Sequence, residues 1–349
     1  MKSATAALSV AATKDPLKNS VRVKTVLPAT RPHWVGNGFH VYPVFNQLAF
    51  TSAISPFLML DYAAPKEFPP SKGRERRGVG QHPHRGFETV TIAFQGEVEH
   101  GDSVGNHDVI GPGDVQWMTA GRGIIHEEYH AESFARKGGT FEMVQLWVNL
   151  PAKHKMDAPR YQPILAASIP EIPVAPATST STSTSSSSSS SSSSNQDSEE
   201  EQQCADGAAV AGKVRVIAGH FRGETGPAQT HTPMDLWDVS LPSVGVPVDL
   251  EMKAGHNILV FSRAGGVKVG GSGDGKEVGP QSMAILDNRG GGSGDTVLRL
   301  TAMKPGTKLL ILGGEPINEP IAARGPFVMN TNAEIAQANA DYRSGKMGR

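Results

Sequence analysis

Short apolar or alternating runs, separated by glycine and proline turns, dominate the hydrophobic pattern of the chain. The runs Glu88-Thr89-Val90-Thr91-Ile92 and Val297-Leu298-Arg299-Leu300 are typical of β-strands. Few apolar stripes follow a helical period, and 39 Gly and 25 Pro punctuate the 349 residues. The pattern therefore predicts an all-β fold.

Two parts of the chain resemble each other in the order of these elements. Gly96–His100 leads on to Gly111–Met118, and Gly266–Gly270 leads on to Val278–Ile285. Each pair indicates a strand, a glycine-rich hairpin, a Gly/Pro turn and a further strand. Because self-similarity on this scale is typical of a duplicated unit, we expect two tandem copies of one β-domain.

The C-terminus has a different pattern. Thr331 and Glu334 have the spacing of a capping box, in which each side chain satisfies a backbone N–H of the other. Ile335, Ala338 and Tyr342 follow at helical spacing. We expect a short terminal helix that packs on the β-domains.

A low-complexity segment separates the two halves. Every residue from Thr178 to Ser194 is Ser or Thr, and polar or acidic residues continue towards Gln203. Such a segment cannot bury enough apolar surface to offset its ordering entropy. The predicted organisation is a disordered tail over 1–20, a first domain over 21–160, a disordered insert over 176–207 and a second domain over 208–349.

Composition narrows the partners and the compartment. Lys and Arg number 33 against 34 Asp and Glu, and this net charge of -1 lacks the basic footprint of a direct nucleic-acid binder. No apolar run approaches the roughly 18–20 residues that span a bilayer. A single cysteine, Cys204, excludes an intrachain disulfide and fits a reducing compartment. We expect a monomer in the cytoplasm and/or the nucleus, with protein partners and organellar targeting left open.

Two short histidine motifs carry the candidate chemistry. His82 and His84 are separated by one residue, as are His126 and Glu128. Side chains at i and i+2 of a strand point to the same face, so two neighbouring strands would direct three imidazoles and one carboxylate into one space. This arrangement predicts a metal site. Glu88 shares the face of the first pair and is a candidate outer acceptor or further ligand.

The ligand types limit the metal. Neither motif offers a thiolate, which excludes a closed, cysteine-rich structural zinc site. Mixed nitrogen and oxygen ligation with two open positions suits Fe(II), with Mn, Ni, Cu or Zn as alternative occupants. The second copy has Met252 and Ala254 at the level of the first motif. We therefore expect one metal, in the first domain.

The same motifs resemble those of the cupins, and specifically of the pirin family. The resemblance rests on His-Pro-His-Arg-Gly-Phe-Glu-Thr-Val at 82–90 and on Gly-Asp-Val-Gln-Trp-Met-Thr-Ala-Gly-Arg-Gly-Ile-Ile-His at 113–126. It extends from Pro56–Asp61 to Gly325–Asn330. It implies two tandem cupin barrels (double-stranded β-helix or jelly-roll) and iron in the N-terminal barrel. The family's ligands fall on His82, His84, His126 and Glu128.

The resemblance leaves several functions open. The first is a dioxygenase that opens the ring of quercetin-type flavonols with O₂, with Glu128 as the general base. The second is a non-enzymatic, iron- or redox-dependent regulator that acts through protein partners in transcription or signalling. A third is a cupin with a structural metal and another small-molecule activity. An apolar pocket above the metal would favour a substrate, whereas a sealed metal with a charged rim would favour the regulator.

Overall fold

A computed structural model of the protein describes residues 21–46, 51–71, 76–177, 209–271, 275–287 and 296–349. The chain is mostly β-structure, arranged as two cupin domains with a short C-terminal helix, and its ladders are antiparallel. The fold class expected from the sequence is thus confirmed. The predicted tail at 1–20 and all but the first two residues of the predicted insert lie outside the described residues.

The first half of the chain supplies twelve of the described strands. They are β1 (Arg22–Leu27), β2 (His33–Val35), β3 (Phe39–Phe45), β4 (Phe57–Phe68), β5 (Gly78–His84), β6 (Phe87–Gln95), β7 (Val98–Asp102), β8 (His107–Ile110), β9 (Val115–Thr119), β10 (Ile124–His130), β11 (Gly139–Asn149) and β12 (Arg160–Ile164). Helices α1 (Thr51–Ile54) and α2 (Glu132–Lys137) and the 3₁₀ turns Ala152–His154 and Ala166–Ser168 connect or follow them.

The remaining described strands build the second half. They are β13 (Glu171–Val174), β14 (Gly212–Ala218), β15 (His220–Phe221), β16 (Glu224–Thr225), β17 (Met234–Leu241), β18 (Pro247–Met252), β19 (Asn257–Ala264), β20 (Val267–Val269), β21 (Lys276–Val278), β22 (Ser282–Asp287), β23 (Thr296–Ala302), β24 (Thr307–Gly314), β25 (Ala322–Arg324) and β26 (Phe327–Met329). Helix α3 (Asn332–Arg343) follows them.

Both barrels have the same sheet order. The first combines a seven-stranded sheet, β12-β9-β6-β11-β4-β3-β2, with a four-stranded sheet, β5-β10-β7-β8. The second combines β1-β22-β19-β24-β17-β14-β13 with β18-β23-β20-β21. The two orders correspond strand for strand, so the duplication expected from the glycine-rich repeats is present in the fold.

The position of β1 departs from the expected domain boundary. The sequence assigned residues from 21 onward to the first domain, but β1 pairs with β22, and Val26 lies opposite Ala284. In the sheet order β1 takes the place in the second barrel that β12 takes in the first. An alternating strand pattern predicts a strand without naming its partner, and the second barrel needs this strand to complete its sheet.

The two barrels share a core. One buried apolar cluster contains residues of both seven-stranded sheets, among them Trp117 of β9 and Phe261 of β19. Arg263 of β19 also donates to the Glu142 carboxylate of β11 at 2.5 Å, and Tyr62 of β4 donates to the same oxygen at 2.7 Å. Strands buried on both faces explain why the central strands are almost continuously apolar.

The interior of the second barrel is apolar where the first carries its histidines. Strands β18 and β23 correspond to β5 and β10 in the sheet order. Val248, Leu250 and Met252 of β18 and Leu298 and Leu300 of β23 are buried in one hydrophobic cluster. These side chains offer no metal ligand of the nitrogen or oxygen type.

The terminal helix lies against the first barrel. Both hydrogen bonds of the predicted capping box are present at its start. Ile335 and Ala338 are buried, whereas Tyr342 is 40% exposed. Asp341 accepts a hydrogen bond from the buried Arg85 guanidinium at 2.8 Å. Arg85 directly follows the predicted ligand His84, so the helix is held next to the end of β5.

Candidate metal centre

The register of β5 and β10 brings the two histidine motifs together. His82 lies directly opposite His126, and His84 lies opposite Ile124. Because β5 is an edge strand of its sheet, Pro83 between the two histidines costs the ladder little despite its missing N–H. After His84 the chain turns at Gly86 with φ of +86°, where an added Cβ would lie 2.0 Å from the carbonyl oxygen of Val328.

Three imidazoles form a compact cluster. Each of His82, His84 and His126 offers one nitrogen, and these three atoms lie within 4.8 Å of one another. The ring centroids of His82 and His126 are 4.3 Å apart, and the other two centroid separations are 4.9 Å. His84 and His126 are 3% and 1% exposed, so an ion held by this cluster would be largely shielded from water.

The hydrogen bonds of these rings fit metal binding. Nδ1 of His82 is 2.9 Å from the Gly80 carbonyl, and Nδ1 of His84 is 3.4 Å from the Pro326 carbonyl. Such contacts fix the tautomer that leaves Nε2 free for a metal. Within the described residues neither buried nitrogen of His126 has a hydrogen-bond partner. An unsatisfied buried polar atom costs about 1–3 kcal/mol, and a metal ion would supply the missing partner of one of these two nitrogens.

Burial also sets the protonation of the cluster. It lowers the pKa of all three histidines, that of His84 to about 3 and that of His126 well below its ordinary value. The neighbouring imidazoles act in the same direction at the two buried rings, since each positive ring would repel the next. The rings are therefore neutral at physiological pH, as metal ligands must be.

Glu128 lines the same cavity as His82 and His84, but among the described residues around it the mutual separation of 4.8 Å or less is shared by the three imidazoles alone. Its Oε1 accepts hydrogen bonds from Gln116 Nε2 at 2.8 Å and Thr91 Oγ1 at 3.1 Å. Its Oε2 has a longer contact of 3.4 Å from Gln145 Nε2. Burial raises the pKa of Glu128 to about 7. The role of Glu128 as a fourth ligand thus stays a prediction. Oε2, which has the longer hydrogen-bond contact, is the oxygen more available to a metal.

A cavity of about 350 Å³ opens above His82, His84 and Glu128. Seven aliphatic or aromatic residues form much of its wall: Val35, Phe39, Val41, Met59, Val79, Met143 and Trp147. Asp61 and Gln145 supply further polar groups, and burial raises the pKa of Asp61 to about 6. The volume and the apolar wall with a few convergent polar groups are typical of a small-molecule site.

The alternating pattern did not predict that His100 lies near the cluster, and it placed Glu88 on a face that Glu88 does not share with His82 and His84. His100 is fully buried, stacks on Tyr161, and lies 5.4 Å from the ring centroid of His126. The β7–β10 register, which puts His100 opposite Glu128, was not visible in the chain. Glu88 accepts from Thr119 and contacts His231 rather than a ring of the cluster.

Two cupin barrels, one of which encloses three neutral imidazoles below an apolar cavity, define a bicupin of the metal-binding type. Comparison with known families agrees. The Pirin family matches residues 38–148, and the Pirin C-terminal cupin domain matches residues 236–348. The chain belongs to the pirin family.

Individual relatives match over most of their length. A Pseudomonas aeruginosa protein named "Putative quercetin 2,3-dioxygenase" is 46% identical over 314 residues, which cover 90% of this chain and 94% of that protein. Human pirin is 32% identical, with coverage of 84% and 83%. The crystal structure of quercetin 2,3-dioxygenase from Acinetobacter baumannii is 42% identical with a TM-score of 0.79, covering 94% of this chain and 99% of that one.

Across the described ranges, none of the helices reaches the length and apolar character that a bilayer-spanning helix requires.

Proposed function

We propose that this protein is an iron-dependent dioxygenase that opens the ring of quercetin-type flavonols with O₂. The observation that carries the proposal is the apolar cavity of about 350 Å³ above the histidine cluster. A regulator that needs only the redox state of its metal has no use for such a cavity. The similarity to proteins named as quercetin 2,3-dioxygenases gives the substrate class.

Three imidazoles and one carboxylate are the proposed ligands. They are His82, His84, His126 and Glu128. Fe(II) is the proposed metal, since nitrogen and oxygen ligands with open positions suit it, and Mn, Ni, Cu and Zn are the alternatives. When bound, the metal supplies Lewis acidity towards the deprotonated substrate and redox chemistry towards dioxygen.

The chain's own residues bind and prepare the substrate. The apolar wall around Met59 and Trp147 accommodates the flat aromatic rings and excludes water. Glu128, which lines the same cavity, takes the proton of the flavonol 3-hydroxyl. Gln116 and Thr91 donate hydrogen bonds to its Oε1, so the carboxylate keeps a fixed orientation.

Oxygen uptake tests the proposal. Protein loaded anaerobically with iron and then given quercetin should consume O₂, and His82→Ala should not. Glu128→Gln should lower turnover by about 10²–10⁴-fold, the usual contribution of a positioned base, in protein that still holds iron. No uptake by protein with stoichiometric iron would refute the enzyme and favour the regulator.

The neighbouring carboxylate provides the matched control. Glu127 lies on the other face of β10, where its Oε1 is 3.9 Å from the Arg76 guanidinium. Glu127→Gln makes the same chemical change one residue away and should leave turnover near that of the wild type. A normal rate in iron-loaded Glu128→Gln would remove Glu128 from the role of base.

The cytoplasmic or nuclear location and the monomeric state stay predictions.

A further inference from the structure

A second group of potential ligands lies where the two halves of the chain meet. His154 ends the 3₁₀ turn after β11, Asp157 follows three residues later, and His231 lies on the loop between β16 and β17. One ligand atom from each of the three lies within 4.8 Å of the other two. None of these residues belongs to the candidate metal centre described above.

A buried carboxylate orients one of these rings. Nδ1 of His231 is 3.0 Å from Oε1 of Glu88, which is 1% exposed and also accepts a hydrogen bond from Thr119 Oγ1 at 2.7 Å. With the Nδ1 proton donated to Glu88, the Nε2 atom of His231 faces the cluster. Histidines that bind metals almost always donate the far ring N–H to a carboxylate, a backbone carbonyl or water, and Glu88 fills that role here.

Two of the three separations lie on either side of the distance between ligands of a coordinated ion. Oδ2 of Asp157 is 2.7 Å from Nδ1 of His154 and 3.9 Å from Nε2 of His231. Ligands at 2.0–2.1 Å from a tetrahedral zinc ion lie roughly 3.3 Å from one another. The two distances bracket that value, and side-chain exposures of 30%, 44% and 19% leave room for adjustment and for water ligands.

We propose that His154, Asp157 and His231 form a second divalent-metal site, of the type that accepts zinc. Two imidazoles and one carboxylate are a common ligand set for zinc and its neighbours in the first transition row. Its ligands come from both halves of the chain, so a bound ion fastens the β16–β17 loop to the first barrel. Gln162 of β12 and Gln229 of the same loop already join the first barrel to this loop by hydrogen bonds of 3.0 and 2.9 Å.

Metal stoichiometry of the full chain tests this site independently of the proposed dioxygenase activity. Chelator-treated protein is titrated with Zn²⁺, and with Co²⁺ to record the d–d absorption of a nitrogen- and oxygen-ligated ion. His154→Ala and Asp157→Asn change partly exposed side chains and should each bind one equivalent fewer than the wild type. His107→Ala, which removes a 68% exposed histidine elsewhere, should bind as many as the wild type.

The difference between wild type and variant decides the result. If both cluster variants bind the same number of equivalents as the wild type, the second site does not exist. If one equivalent is lost in both and kept in His107→Ala, the site is established, whether or not the first site holds iron. His82→Ala, combined with the same titration, should retain the equivalent that Asp157→Asn loses.

Discussion

Replacing Lys155 by methionine should destabilise the protein strongly. Lys155 is 1% exposed, and its ammonium group donates to three acceptors. They are the carbonyl oxygen of Gly86 at 2.7 Å, Oδ1 of Asn149 at 2.6 Å and the carbonyl oxygen of Val328 at 3.0 Å. One side chain therefore joins the turn after the histidine strand, the end of β11 and the C-terminal strand β26.

The magnitude follows from the acceptors. Methionine keeps the apolar stem and most of the volume, so the packing changes little. The three buried acceptors lose a donor, and each such loss costs about 1–3 kcal/mol. Part of this cost is recovered because a cation, whose pKa burial lowers to about 7, is no longer held in the interior. We expect a net loss of about 3–5 kcal/mol.

Thermal unfolding followed by circular dichroism, at equal metal content, measures the effect. At about 2–4 °C per kcal/mol for a unit of 150–250 residues, Lys155→Met should lower Tm by roughly 6–20 °C. The control is Lys153→Met, which removes an exposed lysine two residues away and should leave Tm within about 2 °C. Equal Tm values for Lys155→Met and the wild type would refute the inferred role of the three hydrogen bonds.

Three further predictions concern the cavity, a turn and the metal. Met59→Ala removes part of the apolar wall and should raise KM for quercetin by about fivefold, or about 1 kcal/mol. Met156→Ala, at an exposed methionine, should leave KM unchanged, and equal KM values for the two variants would argue against substrate in this cavity. Gly121→Ala places a Cβ 2.2 Å from the carbonyl oxygen of Asp157 and should lower Tm strongly. Gly105 also has a positive φ but faces open space, so Gly105→Ala should lower Tm much less, and matching Tm values would disprove the close contact. Chelation should lower both Tm and O₂ uptake, and added Fe(II) should restore both. The change in Tm follows because an ion that binds only the folded state stabilises it, so a chelated protein of unchanged Tm would contradict this prediction.

The histidine cluster was predictable because it depends on local geometry. The alternation of side chains along a strand puts His82 and His84 on one face, and the same rule aligns His126 with Glu128. Only the pairing of β5 with β10 had to be assumed, and the structure has it, with His126 opposite His82. The capping box at Thr331 was predictable for the same reason, since it involves residues three positions apart.

Contacts between distant segments were not predictable in this way. Asp61 and Trp147 reach the cavity from strands β4 and β11, and nothing in their immediate sequence connects them with the histidine motifs. His231 appears isolated in the chain but contacts Glu88, 143 residues away, because the two barrels pack against each other. The pairing of β1 with the second barrel has the same origin, since a strand pattern specifies burial but not the neighbouring strand.

Incorporation of labelled oxygen tests the central claim most directly. Iron-loaded protein is given quercetin under ¹⁸O₂, and the product is analysed by mass spectrometry. A dioxygenase places both atoms of O₂ in its products, so we expect ring-opened material that contains two ¹⁸O atoms and that His82→Ala does not form. Unchanged quercetin, or a product without the label, from protein that holds stoichiometric iron would contradict the account.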